Sequence, residues 1–118
     1  MKQEDKELLL QDVCSRLPYG VKVLYKHSVF DIDYISSMYE EVHLDIVDNY
    51  TIGISEVKPY LFPLSSMTEE QKTSHNFLKY SAHANPIKLI DWYNKNHFDY
   101  RGLIKKGLAI DCTNLNIY

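Results

Sequence analysis

Cysteine, glycine and long apolar runs are scarce in this chain of 118 residues. The two cysteines, Cys14 and Cys112, lie far apart, which excludes a disulfide framework and a compact zinc motif. We expect each of them to be a small buried apolar side chain. Four glycines leave little room for a glycine-rich phosphate loop, and no nucleophile elbow or zinc-helix motif is present. The sequence therefore predicts no cofactor and no metal site.

The apolar segments are also too short to cross a membrane, because none approaches the run of about 18 residues that a transmembrane helix needs. The first residues, MKQEDKELLLQD, carry acids where a signal peptide needs a basic start, so we predict a cytoplasmic protein that does not contact a membrane. Hydrophobic residues make up 45% of the chain and charged residues 25%, as in ordinary globular proteins. The length predicts a single domain over residues 1–118.

The net charge of −3 conceals two halves of opposite sign. Residues 1–57 hold five basic residues against eleven acids, a net charge of −6. Residues 58–118 hold eight basic residues against five acids, a net charge of +3. The two halves attract each other, which favours packing of one on the other, and the basic half could also meet an acidic partner.

Hydrophobic periodicity predicts a helix followed by short strands. Residues 4–17 have the spacing of an amphipathic helix, and Pro18-Tyr19-Gly20 ends it. Apolar and polar residues then alternate from residue 21 to residue 54, with a turn at Asp48-Asn49. This alternation predicts three or four antiparallel strands in a meander, with one face on the core. The expected buried face of the helix consists of Leu10, Val13, Cys14 and Leu17, with Leu9 alongside.

The second half of the chain is predicted to be mainly helical. Two prolines bracket the aromatic residues of Lys58–Leu64, which indicates an extended crossover rather than a helix or a central strand. Staggered capping boxes at Ser66 and Thr68 predict a helix over about residues 68–82. Asn85, as N-cap, and Pro86, as first helical residue, predict a further helix.

That helix is expected to end at a sharp corner, His97–Asp99. A shorter helix then begins with Asp99 as its cap and stops at Gly107, and residues 108–110 form a last strand. The elements together predict an α+β fold. It consists of an N-terminal helix, a three- to four-stranded antiparallel meander, and two to three C-terminal helices on one face.

Two long motifs carry a resemblance to a known family. KPYLFPLSSMTEEQ (58–71) and IDWYNKNHFDYRGLIKKGLAID (90–111) resemble a family of small proteins from Bacteroides-type gut bacteria and their prophages or mobile elements. The acidic opening helix and LPYGVKV, within residues 5–23, match as well, whereas residues 27–57 match no pattern of the family. The family has no established activity, cofactor or ligand. The resemblance therefore implies a prophage or mobile-element setting and no particular chemistry.

The densest group of functional side chains is His97–Arg101. In an enzyme, His97 would be a base, Asp99 would orient it, and Arg101 would bind an anion. In a structural role, Asp99 caps a helix and Arg101 pairs with a carboxylate, and the sequence favours this second interpretation. A metal site formed by Asp91, His97 and Asp99 has suitable ligand types but matches no compact ligand spacing.

Trp92 is the residue of most interest for binding. A helical wheel places Ile87, Ile90 and Tyr93 on one side of the helix and Trp92 roughly opposite them, near Lys88 and Lys95. An exposed tryptophan beside lysines suits a contact residue of an interface or a base-stacking residue. Alternatively, the helix is covered on two sides, with the Pro59–Pro63 segment on the second.

The sequence favours a small non-enzymatic protein that binds another protein or a second copy of itself. The alternative is a nucleic-acid-binding accessory factor that uses the basic aromatic segment 86–107, which has a net charge of +3. A pI near 5.9 for the whole chain speaks against the alternative, and an enzyme is the third hypothesis. The predicted partner-binding residues are Trp92, Lys88, Lys95, Tyr100, Arg101, Tyr60 and Phe62.

Overall fold

The computed structural model describes residues 1–45 and 51–118. It has an α+β fold with an N-terminal helix, a six-stranded mixed sheet and two further helices. The predicted class is therefore confirmed, whereas the predicted number of strands was too small. The predicted turn at Asp48-Asn49 lies outside the described residues.

Helix α1 spans Gln3–Arg16, close to the predicted range. Its buried positions have the spacing i, i+3, i+4 and i+7, but the buried face is rotated by about one residue from the predicted one. Cys14 is therefore exposed, against the expectation, whereas Cys112 is buried. The rotation places a charged pair in the interior. The buried residues of α1 are Leu9, Asp12, Val13 and Arg16.

Four antiparallel strands follow in chain order and form the predicted meander. Alternate side chains of these strands are buried and join Leu9 and Val13 of α1 in one hydrophobic core. The strands are β1 (Lys22–Tyr25), β2 (Ser28–Ser36), β3 (Glu41–Leu44) and β4 (Thr51–Gly53).

Strand β5 (Val57–Leu61) corrects the prediction of an extended crossover. It pairs antiparallel with β1 and parallel with β6 (Ile110–Asp111), so it is an inner strand in the order β4-β3-β2-β1-β5-β6. The carbonyl of Leu61 accepts a hydrogen bond from the Cys112 N–H at 2.9 Å, and backbone groups two residues apart in a strand point to the same side. The nitrogen of Pro59 therefore faces the side of β5 on which β6 lies. The pairing of β5 with β6 begins only at Tyr60, so no backbone N–H is needed at Pro59.

Helices α2 (Glu69–Tyr80) and α3 (Pro86–Lys95) form a hairpin, and both begin at predicted caps. The Thr68 and Gln71 side chains each accept the other residue's backbone N–H, which completes one capping box. Asn85 accepts hydrogen bonds from two amides in the first turn of α3. No residue of α2 is buried, and this helix packs mainly against α3, so it depends on α3 for its attachment.

The predicted third C-terminal helix does not form. The chain turns sharply after α3, with His97 at a φ of 62°. Asp99 accepts hydrogen bonds from the Leu103 and Ile104 N–H groups at 2.8 and 2.9 Å, four and five residues on, whereas a helix cap bonds the amides two and three residues on. Gly102 has a φ of 74°, which interrupts the helical backbone within its first turn. A series of turns follows, and the last strand is β6 rather than residues 108–110.

Candidate functional site

A buried ion pair on α1 forms the centre of the polar interior. Arg16 donates through Nε and Nη2 to the two carboxylate oxygens of Asp12, at 2.8 and 3.0 Å, and both side chains are fully buried. Arg101 donates to the same carboxylate at 2.9 Å. Arg16 also donates to the carbonyl of Phe98 at 2.7 Å. One carboxylate and two guanidinium groups therefore join α1 to the corner that follows α3.

Asp99 does not orient His97 at this corner. Both carboxylate oxygens of Asp99 accept amide hydrogen bonds from the turn that follows, so neither is directed at the imidazole. Asp91, the third member of the metal-site hypothesis, is exposed on α3. Within residues 1–45 and 51–118, no group of three His, Cys, Asp or Glu side chains could hold a metal ion. The corner thus does not bring together the groups that either chemistry requires.

The imidazole of His97 is packed rather than poised for catalysis. Its ring stacks on the Tyr118 ring with 3.5 Å between the ring centroids, and its buried Nδ1 has no hydrogen-bond partner among the described residues. The pKa of His97 is lowered to about 4. Burial is the largest cause, and the positive charges of Arg16 and Lys22 lower the pKa further. His97 is therefore neutral at physiological pH.

Stability is expected to fall as the pH drops from about 6.5 to about 4, because over this range the unfolded chain protonates His97 and the folded chain does not. His97→Asn removes the titrating group, and asparagine tolerates the positive φ of this position. Urea unfolding of both proteins at several pH values measures the effect. We expect a shallower pH dependence for His97→Asn than for His83→Asn, which replaces an exposed histidine. Equal slopes for the wild type and His97→Asn would contradict a buried neutral imidazole.

Aromatic packing determines the position of Trp92. Its ring stacks on Phe98, with 5.4 Å between the centroids and 22° between the planes, and lies 6.0 Å from the ring of His75 on α2. The neighbouring Tyr93 stacks on Tyr100 at 5.1 Å, and its hydroxyl lies 2.7 Å from Nε2 of His75. Trp92 is thus half-buried between α2 and the corner. Of the two alternatives for α3, a helix covered on two sides fits better than an exposed tryptophan, although α2 and the corner cover Trp92 rather than the Pro59–Pro63 segment.

The candidate basic residues do not form one free surface. Lys88 and Lys95 are exposed on α3. The guanidinium of Arg101 is held by Asp12, and it lies over the ring of Tyr100 at 4.6 Å. Tyr100 and Arg101 therefore belong to the interior contact between α1 and the corner, apart from the two lysines.

The two candidates on the Pro59–Pro63 segment also face inward. Tyr60 is only 6% exposed and belongs to the core. Phe62 is half-buried and lines two cavities of about 310 and 250 Å³, which also share Thr113. No lysine, arginine, histidine, aspartate or glutamate side chain is among the described residues that line these two cavities.

A cluster of exposed apolar side chains surrounds the connection between α2 and α3. Ile87 is 75% exposed, and Tyr80 is 70% exposed. The helical wheel assigned Ile87 and Ile90 to the core because both are apolar, although the buried side of α3 is formed largely by aromatic residues. One sequence signal does mark this surface, because residues 71–90 contain three lysines and no acid. We call this cluster the helical tip, and it consists of Phe77, Tyr80, Ile87 and Ile90.

No family model matches this chain, and neither does any curated protein or solved structure. The resemblance of residues 58–71 and 90–111 to proteins of Bacteroides-type bacteria and their prophages therefore stays a prediction. In the part of the chain that the structure describes, no helix is both long enough and apolar enough to span a bilayer.

Proposed function

We propose that this protein binds another protein through the helical tip. The observation that carries the proposal is the exposure of four large apolar side chains around the short connection 81–85. Single exposed apolar residues are ordinary, whereas several at one place on a small domain are typical of a binding surface. The tip stands at the end of a hairpin whose first helix buries no residue, so a partner can approach it from several directions.

The charges around the helical tip define the chemistry of the partner. Lys79 and Lys88 lie close to the connection 81–85, and the one nearby acid in the sequence is Asp91, beside Ile90; Lys72 lies at the start of α2, where it pairs with Glu69. The ammonium group of Lys79 lies 5.3 Å from the centre of the Tyr80 ring, so positive charge borders the apolar surface directly. An apolar surface with a basic rim is complementary to an apolar segment that carries acids. We therefore propose an acidic apolar protein segment as the ligand.

A protein ligand fits this surface better than a nucleic acid does. Phe77 and Tyr80 offer rings on which a base could stack, so the preference for a protein depends on charge rather than on the aromatic residues. The guanidinium of Arg101, which a phosphate contact would use, is already paired with Asp12. A chain with a pI near 5.9 also lacks the overall charge on which phosphate binding depends.

The test is capture of partners from a nuclease-treated lysate, followed by cross-linking through Lys79 and Lys88. We expect a captured protein that is cross-linked within an acidic apolar segment and that is lost in Phe77→Ser/Ile87→Ser. Leu115→Ser removes an exposed apolar side chain outside the tip and should capture as the wild type does. Capture that nuclease abolishes would support the nucleic-acid alternative instead. Equal capture by the wild type and the tip variant would show that the tip is not the binding surface.

A further inference from the structure

A second cluster of exposed apolar side chains lies on the hairpin formed by β2 and β3. Met38 is 81% exposed and Tyr39 is 70% exposed in its turn, and Tyr34 is half-exposed on β2. Residues 27–57, which include this hairpin, contain seven acids and neither lysine nor arginine. We call the cluster of Tyr34, Met38 and Tyr39 the hairpin end. The hairpin end is apolar like the helical tip, but the charged residues near it in sequence are acids, whereas those near the helical tip are mainly lysines.

The acids beside the hairpin end are bonded to neutral groups or to a histidine in the described part of the chain. Asp33, Glu40 and Glu41 are sequence neighbours of the exposed side chains. None of the hydrogen-bond partners found for these three carboxylates is a lysine or an arginine. The partners are Nδ1 of His43 for Asp33, Nε2 of Gln3 for Glu40, and the hydroxyl of Thr51 for Glu41.

The two clusters belong to different regions of the molecule. Gln3, in the first turn of α1, bonds Glu40 in the hairpin turn at 2.9 Å, whereas Arg16, at the other end of α1, bonds Phe98 just after α3. The helical rise from Gln3 to Arg16 separates the Glu40 contact from the Phe98 contact by about 20 Å, within a molecule of 47 × 29 × 25 Å, and the helical tip lies beyond the opposite end of α3 from Phe98. Both clusters remain exposed, so they do not cover each other within one copy.

We infer that copies of this chain associate head to tail, with the helical tip of one copy on the hairpin end of the next. The inference extends the proposed function, because it identifies the acidic apolar partner of the tip as a second copy. Basic surroundings on one cluster and acidic surroundings on the other make the contact complementary, whereas tip-to-tip and end-to-end contacts would place like charges together. Such an interface is heterologous, so each pair keeps one free tip and one free hairpin end.

The association is weak and electrostatically assisted. Four apolar side chains on one surface and three on the other form a contact in the class of small transient interfaces, below about 1,200 Å² of buried area. Exposed charges are screened by salt, with a Debye length that falls from about 10 Å at 0.1 M to about 3 Å at 1 M. The average mass in solution is therefore expected to rise with protein concentration at low salt and to return toward that of the monomer at high salt.

Two variants that each block one surface test the head-to-tail arrangement by sedimentation or light scattering of the purified full chain. Tyr80→Ser/Ile87→Ser disables the helical tip, and Met38→Ser/Tyr39→Ser disables the hairpin end. All four positions are exposed, so both variants should fold like the wild type. Each variant alone is expected to remain monomeric. In an equimolar mixture, the intact helical tip of one variant can bind the intact hairpin end of the other. Association should stop at the dimer, because the two surfaces that remain free are the disabled ones.

A wild type that stays monomeric at high concentration and low salt would overturn the inference, as would a mixture of the variants that does not associate. Dimers of either variant alone would also overturn it, because they would indicate an isologous contact elsewhere. These results leave the proposed function separately testable. If no self-association occurs and the helical tip still captures an acidic protein from lysate, the self-association is wrong and the binding role of the tip is supported.

Discussion

Replacing Asp12 by alanine is expected to lower the free energy of unfolding by about 3–5 kcal/mol, the range found when one partner of a buried ion pair is removed. The Asp12 carboxylate accepts hydrogen bonds from Arg16 at 2.8 and 3.0 Å and from Arg101 at 2.9 Å. Arg16 is fully buried, and its Nη1 has no hydrogen-bond partner among the described residues. Without Asp12, its charge would be left in the interior without a counter-ion. Urea unfolding followed by circular dichroism measures the change.

Two further variants separate charge burial from the loss of contacts. Asp12→Leu/Arg16→Met replaces both charges by apolar side chains and should recover part of the loss, since no unpaired charge remains on α1. Recovery should be incomplete because Arg101 loses its carboxylate partner and the Phe98 carbonyl loses its donor. Lys72→Ala breaks the exposed pair with Glu69 and should cost less than about 1 kcal/mol. A loss for Asp12→Ala no larger than that for Lys72→Ala would show that the buried pair is not needed for stability.

This buried pair also shows where sequence reasoning reaches its limit. Asp12 and Arg16 are four residues apart on a helix, a spacing that also occurs in exposed pairs. Their burial depends on partners that lie 82 and 89 residues away, the carbonyl of Phe98 and the guanidinium of Arg101. No local pattern contains those contacts. The face of α1 was therefore predicted one residue out of register, although the helix itself was predicted correctly.

Local signals succeeded where the backbone alone decides the structure. Thr68 and Asn85 begin their helices as capping residues, and alternation of apolar residues predicted the meander. Local signals failed at proline and glycine, whose effect depends on the backbone position that each occupies. Pro59 was interpreted as a strand breaker, yet its nitrogen faces a side of β5 that needs no donor. Gly102 was given no weight, yet its positive φ prevents the predicted helix after Asp99.

The candidate binding surface was missed for a related reason. A helical wheel assumes that the most apolar side is buried, which assigned Ile87 and Ile90 to the core. In the structure, α3 instead buries Tyr93 and Asn94 and half-buries Trp92. Burial of Asn94 is possible because its side-chain oxygen accepts a hydrogen bond from the Tyr100 hydroxyl at 2.9 Å. Aromatic and polar contacts with the corner thus turn the isoleucines outward, where they become available to a partner.

Replacing Phe98 by alanine is expected to cost about 3–5 kcal/mol, as for other large-to-small changes of buried aromatic residues. Phe98 is only 1% exposed, and its ring lies between Trp92 at 5.4 Å and Phe62 at 6.2 Å. Because α2 buries no residue of its own, the hairpin depends on this packing at the end of α3 for its attachment to the sheet. Urea unfolding followed by circular dichroism gives the loss. The fluorescence of Trp92 should show that the tryptophan becomes exposed at a lower urea concentration than in the wild type.

Phe77→Ala is the matched control, since it removes the same atoms from a phenylalanine that is 53% exposed in the helical tip. Its effect on stability should stay within about 0.5 kcal/mol, as for most surface substitutions. The two variants therefore separate folding from binding. Phe77→Ala should weaken capture and self-association while stability is retained, and Phe98→Ala should reduce stability first and binding only through the loss of an ordered hairpin. If Phe77→Ala destabilises the protein as much as Phe98→Ala does, the helical tip belongs to the core and cannot be the contact surface.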